Sequence, residues 1–206
     1  MWYSFLQFWA RIVFPVVFRI RAYGRENVPS GGPVILAANH QSFLDPPLVG
    51  VGLTRQVHYM ARKGLFRRWS PFTWLIESLN AFPVDRRRGD ISAVRETLRR
   101  LKAGAAVLAF PEGTRSRGGR VGAFKAGIFM IAARSGAPVV PTAIAGADKA
   151  WPPGALFPRP ATVHVAFGRA LYARDFSGDA DRMMKECRDA VVALCAVTQA
   201  RKAGVG

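Results

Sequence analysis

The sequence predicts a single α/β domain, with a mixed, mostly parallel central sheet flanked by helices and an aromatic helix at its N-terminus. Three observations predict it. Short apolar runs, Val34 to Ala38, Ala105 to Phe110 and Val139 to Ile144, read as buried strands. Segments with helical periodicity alternate with them, as in an α/β fold. No internal repeat and no long linker divides the chain into two folding units.

The elements follow in order. Residues 2–18 are mostly apolar and rich in Trp and Phe. Ser4, Gln7 and Arg11, spaced three and four apart, form one narrow polar stripe on a helix. A bilayer span needs about 20 apolar residues, and this run contains an Arg and a Pro. Arg19, Arg21 and Arg25 follow where a signal peptide would carry a small-residue cleavage site. An aromatic helix lying in the membrane interface fits the composition, with the arginines near anionic lipid.

Phe18 to Tyr23 alternates as a half-buried strand should, and Gly24 to Gly32 makes a turn. Residues 33–38 form a strand, 46–53 a short helix, 57–61 a strand, 70–79 an apolar helix and 81–84 a strand. Asp90 caps a helix whose Ile91, Val94, Leu98 and Leu101 share one face, and Gly104 closes it. A strand at 105–110, a helix at 124–135 ending at Gly136, and strands at 139–144 and 162–167 come next. Between the last two strands lies a proline-rich loop around Trp151. Asp179 opens the final helix, with Met184, Cys187, Val191 and Leu194 on one face.

Composition narrows the function. Half of the 206 residues are hydrophobic and 21% are charged, which excludes global disorder. Thirty Lys and Arg against 13 acids give a net charge of +17. Such a surface favours anions: nucleic acid, acidic headgroups or phosphorylated substrates. Cys187 and Cys195 fall on one helix, and eight helical residues span about 12 Å, too far for a disulfide. Both read as reduced thiols of an intracellular protein. Three histidines and two cysteines show no metal-ligand spacing.

The chemistry concentrates at Asn39-His40-Gln41-Ser42-Phe43-Leu44-Asp45. Imidazole can take a proton near neutral pH, and a carboxylate can fix its tautomer. Five helical residues turn through about 500°, so a continuous helix would point His40 and Asp45 apart. A loop leading into a helix, with proline at its start, brings them together. The bland alternative makes Asp45 a helix cap and His40 incidental. Two further polar clusters follow strands, Asp85 to Arg88 and Glu112 to Arg120. Adjacent parallel strands would gather all three on one edge of the sheet, where such folds bind ligands. Arg87 and Arg88 read as a solvated turn. Ser42 reads as a turn serine rather than a nucleophile. The chain contains no G-x-S-x-G elbow, no Walker-type phosphate loop and no G-x-G-x-x-G after a strand.

These motifs resemble the 1-acyl-sn-glycerol-3-phosphate (lysophosphatidate) acyltransferases. The block Asn39 to Pro46 is similar to that family's His–four residues–Asp signature. Ala81-Phe82-Pro83-Val84-Asp85-Arg86 resembles its second region, Phe110 to Ser116 its third, and Val140 to Ile144 its fourth. Phe124-Lys125-Ala126-Gly127 resembles the segment after the third motif. The resemblance spans residues 20 to 170. Asn80 departs from it, standing where many members carry Gly.

The resemblance implies an enzyme that moves an acyl group from acyl-coenzyme A or acyl-acyl carrier protein to the sn-2 hydroxyl of lysophosphatidate. It implies His40 as general base oriented by Asp45, and Arg86, Glu112, Gly113, Thr114, Arg115 and Lys125 as substrate-binding residues. It implies no tightly bound cofactor, no metal and no nucleic acid partner. Lysophosphatidate, the thioester, an anionic membrane surface and acyl carrier protein, if it is the donor carrier, are the expected partners. Residues 1–17 are expected to be a membrane-interface helix, and residues 18–202 the acyltransferase domain. The expected location is monotopic, on the cytoplasmic face of the cell membrane. The rivals are the same chemistry on lyso-ornithine lipid or glycerol 3-phosphate, and a non-catalytic basic protein that binds membrane or nucleic acid.

Overall fold

The computed structural model describes residues 2–85, 90–116, 119–152 and 155–202. Seven strands form one sheet: β1 (Arg21–Tyr23), β2 (Val34–Ala38), β3 (Val57–Arg62), β4 (Ala81–Val84), β5 (Ala106–Ala109), β6 (Val139–Ala145) and β7 (His164–Phe167). Their order across the sheet is β1-β7-β6-β2-β5-β3-β4. β6, β2, β5, β3 and β4 run parallel, so their carboxyl ends share one edge. β7 lies antiparallel to β6, and β1 follows β7.

The helices are α1 (Trp2–Phe18), α2 (Asp45–Gly52), α3 (Pro71–Ser78), α4 (Ile91–Lys102), α5 (Gly127–Ser135), α6 (Ala147–Ala150) and α7 (Ala180–Lys202). Both faces of the sheet are covered. Val34, Leu36 and Ala38 of β2 point into a core shared with Tyr3 and Phe18 of α1 and Leu48 and Val49 of α2. Ile35 and Ala37 point to the other side, into a core with Leu101 of α4, Phe129 of α5 and Cys187 and Val191 of α7. This two-residue alternation between two apolar layers is why β2 reads as a continuous apolar run. Both cysteines are free and buried.

Differences from expectation lie at element ends. The helix expected from residue 124 begins at Gly127, because Lys125 donates its N–H to Pro111 O at 3.0 Å and holds the chain in a loop. Phe18 closes α1 rather than opening a strand, and Arg19 turns the chain at φ 40. The short α6 sits at the start of the expected proline-rich loop. Asp90 caps α4, accepting N–H bonds from Ser92 and Ala93. It also accepts Asp85 N–H at 2.7 Å, tying the residue after β4 to the start of α4. The Ser92 hydroxyl and the Asp85 and Ala93 N–H groups hold its carboxyl down at about 2. Asn80 adopts φ 62, a left-handed conformation that Asn, like Gly, accepts.

The polar stripe of α1 faces the protein. Gln7 Nε2 donates to Gly50 O at 3.1 Å and Leu53 O at 3.4 Å, and Arg11 also bonds Leu53 O. These carbonyls lie in and just after the last turn of α2, where backbone acceptors lack helical partners. Trp2, Phe5, Phe8, Trp9, Ile12, Val13 and Val16 consequently face outward, Val16 being 78% exposed. The usual amphipathic order of a soluble helix is inverted. Among the described residues, no helix is long and apolar enough to cross a membrane.

Candidate active site

β2 and β5 are neighbours, but their connections leave on opposite faces of the sheet. β2 leads to α2 on one side and β5 leads to α5 on the other. This is a topological switch point, and the crevice beyond it is where open α/β sheets bind ligands. His40 follows β2, and Glu112 follows β5.

His40 Nδ1 lies 2.7 Å from Asp45 Oδ2. The carboxylate accepts, so Nδ1 carries the proton and Nε2 the lone pair. The same oxygen accepts Gln41 N–H at 2.6 Å and Ser42 N–H at 2.8 Å. Asp45 is fully buried, and the His40 side chain is 13% exposed. Asp45 therefore caps no helix; its carboxylate turns back to shape the loop before it. The His40 ring stacks on Phe110, with centroids 4.1 Å apart and planes 20° apart.

Glu112 braces this loop from the neighbouring strand. Its Oε1 accepts His40 N–H at 3.0 Å, and Oε2 accepts Gly122 N–H at 3.1 Å. Burial pushes its carboxyl up, against the two N–H bonds that pull it down. His40 O in turn accepts Ser116 N–H at 2.8 Å and the Ser116 hydroxyl at 3.1 Å. Asn39 fixes the other flank, exchanging bonds with Ile144 O and N–H of β6 at 2.9 and 2.8 Å. The imidazole is thus held through its ring and through both polar groups of its own backbone.

Two cations, Arg115 and Lys125, lie along the turn that follows β5. Arg115 is exposed and lies over the Phe43 ring, 3.8 Å from its centroid. Lys125 passes beside Gly113, whose added Cβ would lie 3.2 Å from Lys125 Nζ. Gly113 takes φ 73 and donates its own N–H to Phe110 O at 3.0 Å, so that N–H is already engaged. Thr114 is exposed on the same turn. Arg86 lies outside the described residues, as do Arg87 and Arg88. Arg62, at the carboxyl end of β3 between β5 and β4, reaches the same sheet edge. Among the described residues no group of three His, Cys, Asp or Glu could hold a metal ion.

The sequence pairs His40 with Asp45 and places Asn39, Phe110 and Ser116 in the motif blocks without giving them roles; Gly122 is not singled out by any of them.

The acyltransferase family signature matches residues 19–145, more than half of the chain. The chain belongs to this acyltransferase family. A 1-acyl-sn-glycerol-3-phosphate acyltransferase of Bacillus subtilis is 32% identical to this chain over 162 residues, covering 77% of this chain and 76% of that one. A chloroplastic 1-acyl-sn-glycerol-3-phosphate acyltransferase of Arabidopsis thaliana is 36% identical over 150 residues, 71% of this chain and 41% of the relative. The chain thus spans about two fifths of the length of that plant relative and of the similar one from Brassica napus. The crystal structure of PlsC, the 1-acyl-sn-glycerophosphate (LPA) acyltransferase of Thermotoga maritima, matches it with a TM-score of 0.83. The two are 29% identical, over 96% of this chain and 80% of that one.

Proposed function

We propose that this acyltransferase moves a fatty acyl group from a thioester donor to the free sn-2 hydroxyl of lysophosphatidate, giving phosphatidate. The observation that carries the reading is the His40–Asp45 pair at the β2/β5 switch point, on a loop bonded to the segment that carries Arg115 and that Lys125 passes. His40 Nε2 takes the hydroxyl proton, and the hydroxyl oxygen attacks the thioester carbonyl. Asp45 stabilises the imidazolium while the tetrahedral intermediate lasts. When the intermediate collapses, the thiolate leaves and takes the proton from His40. No nucleophile from the chain is required, which suits the absence of a serine elbow.

Arg115, Lys125 and Arg86 bind the acceptor phosphate, whose charge suits a cationic turn. Thr114 and Gly113 line the same turn. Glu112 acts as a strut for the catalytic loop rather than as a substrate ligand, since both of its oxygens serve backbone N–H groups. The outward aromatic face of α1 rests on the cytoplasmic face of the cell membrane, so the lipid acceptor reaches His40 without passing through water. Acyl-coenzyme A or acyl-acyl carrier protein supplies the acyl group, and no bound cofactor is needed.

One assay tests this reading: thioester release with lysophosphatidate, lyso-ornithine lipid and glycerol 3-phosphate as acceptors and both donor types. Fast release with lysophosphatidate alone is expected. Equal rates with the phosphate-free lyso-ornithine lipid would remove the phosphate-binding role of the arginines.

A further inference from the structure

Aromatic side chains also face outward on α3 and on the turn before it. Trp69 is 90% exposed and has φ 64, a left-handed backbone that a bulky residue adopts only against steric resistance. A strained residue that holds an indole in solvent points to a task outside the fold. Phe72, Trp74 and Leu75 are exposed as well, and no residue of α3 is buried. The arrangement is built. Thr73 Oγ1 accepts Arg67 N–H and donates to Arg67 O, both at 2.8 Å, which fastens the turn to the helix.

We propose that Arg67 to Trp74 is a second membrane foot, seated on an anionic phospholipid leaflet and taking a lipid phosphate between Arg67 and Arg68. The proposal rests on reading α1 as an interfacial helix and extends that surface. Trp2 of α1 contacts Trp74 of α3, with ring centroids 5.4 Å apart, so the two exposed aromatic faces are continuous. A cleft of about 540 Å³ opens beside them, and Arg67, Arg68, Trp69, Thr73, Trp74 and Glu77 line it.

Charge selects a lipid leaflet as the occupant. Arg62, Lys63, Arg67 and Arg68 fall in one short stretch of the chain, no carboxylate occurs between Asp45 and Glu77, and Glu77 is the one acid against Arg67 and Arg68 among the residues lining the cleft. Tryptophan beside arginine is the composition that settles at a headgroup layer, with the ring at the interface and the cation near phosphate. The turn follows β3 at the sheet edge that also carries His40. A foot there holds the active-site edge against the lipid, whereas α1 alone would allow the molecule to roll about its axis.

Co-sedimentation of the full chain with phosphatidylcholine vesicles, with and without phosphatidylglycerol, tests this. Trp69→Ser with Phe72→Ser should weaken binding about tenfold on both compositions. Arg67→Ala with Arg68→Ala should remove most of the gain from phosphatidylglycerol and leave binding to phosphatidylcholine unchanged. A control, Phe8→Ser with Trp9→Ser, reads α1 alone. If the foot variants bind like the parent while the α1 variant falls, the foot is overturned and the α1 reading stands. If the foot variants fall and the α1 variant does not, the foot stands and the α1 reading fails. A lipid-free dimer that Trp69→Ser with Phe72→Ser makes monomeric, with vesicle binding unchanged, would show that a second copy covers the face and overturn the proposal.

Discussion

One oxygen of Asp45 holds the His40 ring and also gathers the backbone N–H groups of the two residues after it. Oδ2 lies 2.7 Å from His40 Nδ1, 2.6 Å from Gln41 N and 2.8 Å from Ser42 N. The bonds that orient the base and the bonds that shape its loop therefore share an acceptor. Asn at this position keeps an oxygen for all three donors but removes the negative charge that an imidazolium needs. Asp45→Asn should keep the fold and lower kcat by about 10²–10⁴-fold, with KM nearly unchanged. Circular dichroism and steady-state kinetics check both halves. A fully active variant would show that the charge is dispensable.

Glu112 offers a second separation of support from chemistry. Gln can present one oxygen to His40 N–H or to Gly122 N–H, and must face the other with an amide donor. A buried N–H left without an acceptor costs about 1–3 kcal/mol. Loss of a desolvated charge offsets part of this, because burial already disfavours the ionised form. Glu112→Gln should lower Tm by a few degrees and lower kcat with little change in KM. A large rise in KM at unchanged kcat would instead make Glu112 a substrate ligand.

Gly122 reports on the same strut from its far end. An added Cβ would lie 2.8 Å from Glu112 Oε2, closer than real Cβ atoms approach. Gly122→Ala should therefore reproduce the kcat loss of Glu112→Gln. Gly64, whose added Cβ has only Arg62 Nε within 4 Å, serves as the control. Equal activity of the two alanine variants would sink the strut.

His58 should give the fold a pH dependence in a defined window. Burial, then the charges of Arg100 and Arg99, push its imidazole down to about 4. An unfolded chain protonates this histidine near 6.5, so between 6.5 and 4 unfolding takes up a proton. Stability from this group is present above 6.5 and is lost as pH falls toward 4. One proton sets a ceiling of about 1.4 kcal/mol per pH unit, and solvent screening at this half-buried site lowers it. His58→Gln keeps an acceptor for Arg100 but cannot titrate. Its Tm should fall less than the parent's between pH 7 and 4.5; parallel curves would refute the assignment. Asp90 and Glu96, both held at about 2, titrate mainly below that range.

Much of this was legible in the chain and some was not, for physical reasons. Fully buried strands such as β2 and β5 announce themselves as apolar runs, and the His40–Asp45 spacing excludes a straight helix. The strut from Glu112 to His40 spans 72 residues and exists only because β5 inserts beside β2, after β3 and β4 have been laid down further out. No local pattern encodes that neighbour relation. The stripe on α1 was visible as a period, but a period does not say which side faces in. Two carbonyl acceptors, Gly50 O and Leu53 O, decide it. Asn80 looked like a departure, and its φ of 62 shows that it keeps the backbone path that Gly would take.

The inverted α1 also changes how its removal should behave. Tyr3 is buried in the core, and its hydroxyl accepts Val57 N–H at 3.0 Å. Deleting residues 1–17 would uncover α2, strand the Leu53 carbonyl and leave that N–H unpaired. Truncation should therefore lower Tm as well as release the protein from vesicles. Phe5→Ser with Val16→Ser touches only the outward face, where each side chain loses no packing partner in the core. That variant should keep the parent Tm to within a few degrees, since exposed substitutions change stability by about 0.5 kcal/mol or less. It should bind vesicles several-fold more weakly, because two apolar side chains no longer leave water. Acyl transfer to an acceptor dispersed in detergent should be unchanged, and transfer to the same acceptor in vesicles should fall. Equal losses in both assays would mean that the outward face of α1 serves the fold and not the membrane.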